Sequence, residues 1–278
     1  MWLLSLLTTL LAGEMWMEDA RPEGGWFFSN VTLDAFVGYT VPLFGALILA
    51  SFIQRRVAAQ KGVHLPHHFP IPGPALIWWP FGILGFASLP RSDARLWPDR
   101  SSLGNSALSA PLVMILLGMG FTLLGLKLTP DLVSLDSVPL SLELPLLIHL
   151  IGLSMEGEIA MLLKTSWAHP LTRAGMTLTF IGWISLLPVP TFPGGRILIA
   201  RMGIPEARSG STQVMLLMVV LLFAFLFGAF SAWSIWVPVV ALCASLLITK
   251  GSDPRLPIVL DDFKGLSLIH ISEPTRPY

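Results

Sequence analysis

The sequence predicts an all-α polytopic membrane protein. Its 278 residues are 54% hydrophobic and only 12% charged, where a soluble domain carries about 25% charged residues. Mean hydropathy is +0.73. Uncharged apolar runs long enough to cross a bilayer core of about 30 Å recur along the chain. The net charge is zero, which offers no basic face to a nucleic acid. Cys243 is the single cysteine, so no intramolecular disulfide can form.

The elements follow in order. Residues 1–12, within MWLLSLLTTLLAG, read as the end of a first span; the stretch lacks the basic leader of a signal peptide. Spans are expected at 35–53, 107–126 and 170–189. Val214–Ile248 carries no charge and, at about 1.5 Å per residue, would exceed 50 Å as one helix. It is read as two spans, 212–229 and 232–249, joined near Ser231–Trp236. Residues 63–90 have a different texture: prolines and glycines interrupt short apolar runs, which suits a small membrane-associated strand hairpin. Residues 142–163 are apolar but carry Glu143, His149, Glu156 and Glu158. The distribution of arginine and lysine makes this segment an interfacial helix rather than a span. On that count 54–106, 190–213 and the C-terminal tail lie on the cytoplasmic side. The tryptophans Trp78, Trp79, Trp167, Trp233 and Trp236 read as interfacial residues. Arg173 is expected to snorkel to headgroups, and Gly118, Gly120, Gly175 and Gly182 to pack helices closely. Residues 266–276, LSLIHISEPTR, look like a translated sequencing adapter, so 266–278 are set aside and the domain is taken as 1–265.

Five stretches in order carry a resemblance. They are LLTTLLAG, YTVPLFGALILASFIQRRVAAQKGV, the proline-rich segment 65–112 containing Ser109-Ala110-Pro111, AHPLTRAGMTLTFIGWISLLPVPTFPGGRI, and DPRLPIVLDD. Their order and texture resemble the site-2 proteases, intramembrane zinc metalloproteases, over residues 1–264. The resemblance implies a helical core of about five to six spans plus the hairpin, in a prokaryotic cell membrane. In that family two histidines of H-E-x-x-H and the aspartate of L-D-G hold zinc, and the glutamate is the general base. Aligned on Gly62-Val63, the histidines fall on Ala50 and Gln54, the glutamate on Ser51 and the aspartate on Pro193. Motif remnants fall on Ser185, Pro188, Gly194 and Gly195. Alanine and proline cannot ligate a metal, and H-E-x-x-H occurs nowhere in the chain. No catalytic residue, metal site or cofactor is therefore expected, although active relatives hold zinc.

His64, His67 and His68 form the one dense polar cluster. It reads as an interfacial loop, with a surface metal site as the alternative. The expected function is that of a non-proteolytic member which binds or regulates membrane partners, either a transmembrane protein or a peptide segment, in contact with lipid. Two alternatives stand beside it: a metalloprotease with a relocated metal site, and a channel or transporter.

Overall fold

The computed structural model describes residues 1–18, 25, 27–73, 81–88, 93–128, 169–187, 192–204 and 256–260. The expected elements at 142–163, 212–229 and 232–249 lie outside these residues, as do the tryptophans singled out above. The chain divides into two compact units. One comprises Met1–Ser51, His68–Ser88 and Pro111–Ile184; the other comprises Phe52–His67, Leu89–Ala110 and Ser185–Tyr278.

The described part is mostly helical. Helix α1 is Trp2–Glu18. Helix α2, Val31–Ala35, starts at Asn30, whose side-chain oxygen accepts the Thr32 and Leu33 N–H groups, an N-cap. A π-helical turn, Phe36–Thr40, leads directly into α3, Val41–Ala59. Helix α4 is Arg100–Leu128. The Asp99 carboxylate caps it by accepting the Ser102 N–H at 2.6 Å. That bond holds the carboxyl below its usual range. Helix α5 is Pro170–Ser185 and α6 is Pro193–Met202. Among the described residues two helices are long and apolar enough to cross a membrane, Val31–Ala59 and Arg100–Leu128, each of 29 residues.

Both helices run past the apolar stretches that announce them. Hydropathy reports where charge begins, whereas a helix ends where its backbone is capped. At the end of α3 the Val63 N–H reaches the Ala58 carbonyl at 3.1 Å, and the Gly62 N–H reaches Ala59 at 3.0 Å. Gly62 has φ +76°. This is a Schellman cap, complete with buried Val63 against Ala58. It lets the helix include Arg55 and Arg56 before reversing.

In the first unit, α4 and α5 pack antiparallel through small residues. A Cβ on Gly118 would lie 2.7 Å from the Gly175 carbonyl oxygen and from the Thr179 nitrogen. One on Gly125 would meet Thr172, and one on Gly182 would lie 2.8 Å from Ile115 Cγ1. Such approaches let the two backbones touch and gain dispersion energy. Gly120 takes no part in this packing: among the described residues a Cβ there meets nothing within 4 Å. Two residues on from Gly118, it sits on another face of the helix.

The same unit buries polar side chains and exposes apolar ones. Ser5, Thr9, Thr40, Thr122, Thr172, Thr177 and Thr179 are buried, while Leu3, Leu7, Leu11, Ile48, Leu112, Leu116 and Leu124 are exposed. Arg173 is also buried, at 6% exposure, so it does not reach outward as the sequence suggested. Its position on α5 lies within the run Thr172–Thr179, which is buried throughout.

The strands form two small sheets. Strand β1, His68–Pro72, pairs antiparallel with β2, Ile83–Ser88, with a bulge between Ile71 and Pro72. Strand β3, Leu96–Trp97, pairs in parallel with β4, Ile258–Val259. The second pair sits in the second unit's core, with Ala58, Val63, Leu65, Trp97, Leu103, Ile199 and Leu256. The Trp97 indole N–H donates to the Ala94 carbonyl, which satisfies a fully buried ring.

Candidate functional site

The positions that the sequence resemblance aligns with the site-2 proteases' zinc ligands lie on α3 and α6. Ala50 is fully buried and Gln54 is 3% exposed, one helical turn apart on α3. Pro193 is the first residue of α6, where its missing N–H costs nothing. Gly194 and Gly195 are buried behind it, and the Gly194 backbone lies directly against the Leu186 carbonyl. A side chain at position 194 would collide there, so this glycine serves close backbone approach. Ser185 is half-buried at the end of α5. Pro188 lies outside the described residues.

Ser51, at the position of the family's general base, lies beside the hairpin. Its hydroxyl is 3.1 Å from Nδ1 of His68, the first residue of β1. The His68 ring stacks on Phe86 of β2 at 5.3 Å between centroids. The histidine cluster is thus divided by its partners. His67 Nδ1 accepts a hydrogen bond from the Arg55 guanidinium at 2.9 Å, which puts the ring proton on Nε2. His64 is exposed. Among the described residues no group of three or more His, Cys, Asp or Glu is arranged to hold a metal.

The two edges of the hairpin differ in kind. In an antiparallel ladder alternate residues turn their N–H and C=O toward the partner. Pro70 and Pro72 have no N–H, so Phe69 and Ile71 face β2, and the prolines fall on the outer edge. That edge is occupied by α1. The Ser5 hydroxyl donates to the Pro70 carbonyl at 2.9 Å, and the Thr8 hydroxyl to the Gly82 carbonyl at 2.7 Å. Gly82 has φ +66° and lies so close to Thr8 and Thr9 that a Cβ would collide with their backbone. On β2 the register turns Gly85 and Ala87 toward β1 and leaves Phe86 facing outward. The sheet has two strands, so among the described residues no strand lies on the outer edge of β2.

A buried polar cluster in the first unit has no counterpart in the sequence reading. Asp34 is fully buried, and its Oδ1 accepts the Phe27 and Phe28 N–H groups at 2.8 and 2.7 Å. His169, 3% exposed, accepts the Leu171 N–H on Nδ1 at 3.2 Å and so caps α5. Phe27 meets the His169 ring edge-on at 5.4 Å. Burial pushes the His169 imidazole down to about 4, against a smaller opposing pull from Asp34. Tyr39, in the π-helical turn, donates to the Phe81 carbonyl at 2.8 Å and lies 3.2 Å from the Thr177 hydroxyl. A π-helical insertion in an otherwise α-helical segment often marks a functional position. Nothing in the local sequence signals these pairings, because the partners are up to 138 residues apart.

No protein-family model, curated protein or solved structure matches the chain. The functional reading therefore rests on the geometry above and on the sequence resemblance.

Proposed function

We propose that this chain is a polytopic integral membrane protein of the site-2-protease type. In this reading it has lost proteolysis and holds an extended segment of a membrane partner on the outer edge of β2. The observation that carries the proposal is the asymmetry of the hairpin. One edge is blunted by Pro70 and Pro72 and occupied by α1; the other offers the backbone of Phe86 to an added strand. Strand addition uses backbone pairing and needs no metal. The lipid setting is supported by the two long apolar helices and by the first unit's inverted distribution, with hydroxyls inside and leucines outside. Loss of catalysis is supported by Ala50, Ser51, Gln54 and Pro193, which supply neither a zinc ligand set nor a base at neutral pH.

The test is photocrosslinking from position 84, in bilayers, to single-span peptides whose flanks are either extended or helical. Crosslinks should form with extended flanks only. Phe86→Pro removes an outward N–H while leaving the β1 ladder intact, and should abolish them. Equal crosslinking of both peptide types, or no effect of Phe86→Pro, would refute the proposal. Elemental analysis of the purified protein addresses the relocated-metal alternative. Near one equivalent of zinc, lost on replacing His64, His67 and His68, would establish that alternative instead.

A second reading, transport, has one observation in its favour. Asp34, His169 and Arg173 are ionisable, yet buried in the first unit, and ionisable groups at membrane depth commonly line ion or proton paths. Proton flux into liposomes that is lost on Asp34→Asn would support it.

A further inference from the structure

The end of α3 and the loop that returns from it, all in the second unit, assemble positive charge, and among the described residues no ion pair joins it to a carboxylate. Arg56 and Lys61 are exposed and Arg55 is half-buried. The only side-chain hydrogen bond made by Arg55 among the described residues is to a neutral imidazole, Nδ1 of His67. The Arg56 side chain makes no hydrogen bond or ion pair among them. The described carboxylates in this unit are Asp93 and Asp99. Asp99 is engaged in capping α4, although Lys61 acts on it at a distance. Some of the positive charge offsets the C-terminal end of the α3 dipole. The remainder is a set of donors: the other guanidinium N–H groups of Arg55, the guanidinium of Arg56, the ammonium of Lys61 and Nε2–H of His67. The Schellman cap at Gly62 creates this arrangement by turning the chain back, so that His67 meets Arg55.

Three permanent cations and a neutral donor, with no side-chain acceptor among them, suit a singly charged phosphate. The position along the helix selects its source. The cations close a 29-residue apolar helix, and Phe52, 62% exposed, lies one turn before Arg55 and Arg56. Apolar surface giving way to guanidinium within one turn is the profile of the hydrocarbon–headgroup boundary. A free phosphate ion would have no use for the apolar flank.

We propose that the C-terminal end of α3, with the returning segment 63–67, binds the phosphate of an anionic phospholipid headgroup through Arg55, Arg56, Lys61 and His67. The inference rests on the membrane reading above. It is independent of the β2 edge and of any loss of proteolysis.

The test uses the full chain purified in mild detergent. It is incubated with equal amounts of phosphatidylglycerol and phosphatidylcholine, stripped of free lipid, and the retained lipids are counted by mass spectrometry. Phosphatidylglycerol should be retained at least roughly fivefold over phosphatidylcholine, with each basic side chain at the surface contributing a factor of about five. Arg56→Gln should reduce the enrichment roughly fivefold. The combined Arg55→Gln, Arg56→Gln, Lys61→Gln variant should abolish it, and Arg201→Gln, in the last turn of α6, should leave it unchanged. Should the triple variant fail to fold, the exposed single site Arg56 still decides. Equal retention of the two lipids by the unaltered chain, or unchanged enrichment in Arg56→Gln, overturns the proposal. Displacement of phosphatidylglycerol by millimolar inorganic phosphate would also overturn it, in favour of a free-ion site. Carbonate extraction of membranes from expressing cells separates the two readings. Release of the chain would defeat the membrane reading itself, whereas retention without lipid preference would defeat this inference alone.

Discussion

Gly118 and Gly120 lie two residues apart on α4 and predict opposite outcomes for the same substitution. In Gly118→Ala the new methyl group lies 2.7 Å from the Gly175 oxygen and the Thr179 nitrogen, where ordinary contact begins at about 3.4 Å. Both obstacles are backbone, so neither can rotate away. The helices must separate, and the matching approaches at Gly125 and Gly182 lengthen with them. Overpacking of this kind costs up to about 3 kcal/mol. Replacing glycine by alanine within a helix returns up to about 1 kcal/mol. The net expectation is destabilisation by about 2 kcal/mol. In Gly120→Ala the methyl group enters open space. Only the propensity gain remains, so the expectation is stabilisation by roughly 0.5–1 kcal/mol. Thermal unfolding in mild detergent, followed by circular dichroism with size-exclusion recovery, measures both. The midpoint should fall for Gly118→Ala and hold or rise for Gly120→Ala. If the two variants shift alike, α4 and α5 do not pack as described.

Three further outcomes follow from local geometry. His169 has a folded pKa of about 4 against an ordinary 6.5, so the unfolded chain binds the extra proton between those values. Its stabilising contribution is complete above pH 6.5 and falls as pH drops toward 4, by on the order of 2 kcal/mol at pH 4.5. His169→Gln should flatten that part of the pH–stability profile, and an unchanged profile would refute the assignment. Gly62→Ala forces a positive φ on a side-chain-bearing residue at the Schellman cap and should cost about 1 kcal/mol in thermal stability. Tyr39→Phe removes the donor to the Phe81 carbonyl. It should lower stability by about 1–2 kcal/mol in the same assay, and an unchanged midpoint would mean that the hydroxyl carries no weight there.

The sequence made some of this architecture legible, for identifiable reasons. Glycines and prolines at 63–90 announced strands because each carries a backbone constraint in its own position, and β1 and β2 fall inside that segment. Gly118, Gly175 and Gly182 were readable as packing residues because smallness is a local property. Gly120 was misread because the face it occupies depends on the neighbouring helix. In the sequence the run LPIV at 256–259 reads only as part of the stretch DPRLPIVLDD. Its pairing with Leu96–Trp97 spans more than 150 residues of chain, and no local pattern encodes it. Arg173 looked like a snorkelling side chain because hydropathy counts only neighbours in sequence. Its burial comes from the elements packed around α5. The Asp34–His169 region was missed for the same reason. Nothing beside Asp34 in the sequence marks it as the buried acceptor of the Phe27 and Phe28 N–H groups.

If the proposed family reading holds, Ser51 on α3 is defined by the contacts it makes. At position 51 an active protease needs a carboxylate free to take a proton from water. Ser51 instead lies within hydrogen-bonding distance of His68, at the start of β1. A neutral hydroxyl can donate or accept there without the desolvation cost that a buried charge imposes, so helix and hairpin can close on each other. His68 in turn stacks on Phe86, the residue whose backbone faces the outer edge of β2. A continuous set of contacts therefore runs from Ser51 to the proposed docking edge. Introducing a carboxylate by Ser51→Glu would place a larger, charged group against His68 and disturb that edge. Crosslinking from position 84 should then fall even though no residue of β2 has changed. If it does not fall, Ser51 is a passive replacement, and the edge owes its geometry to α1 alone.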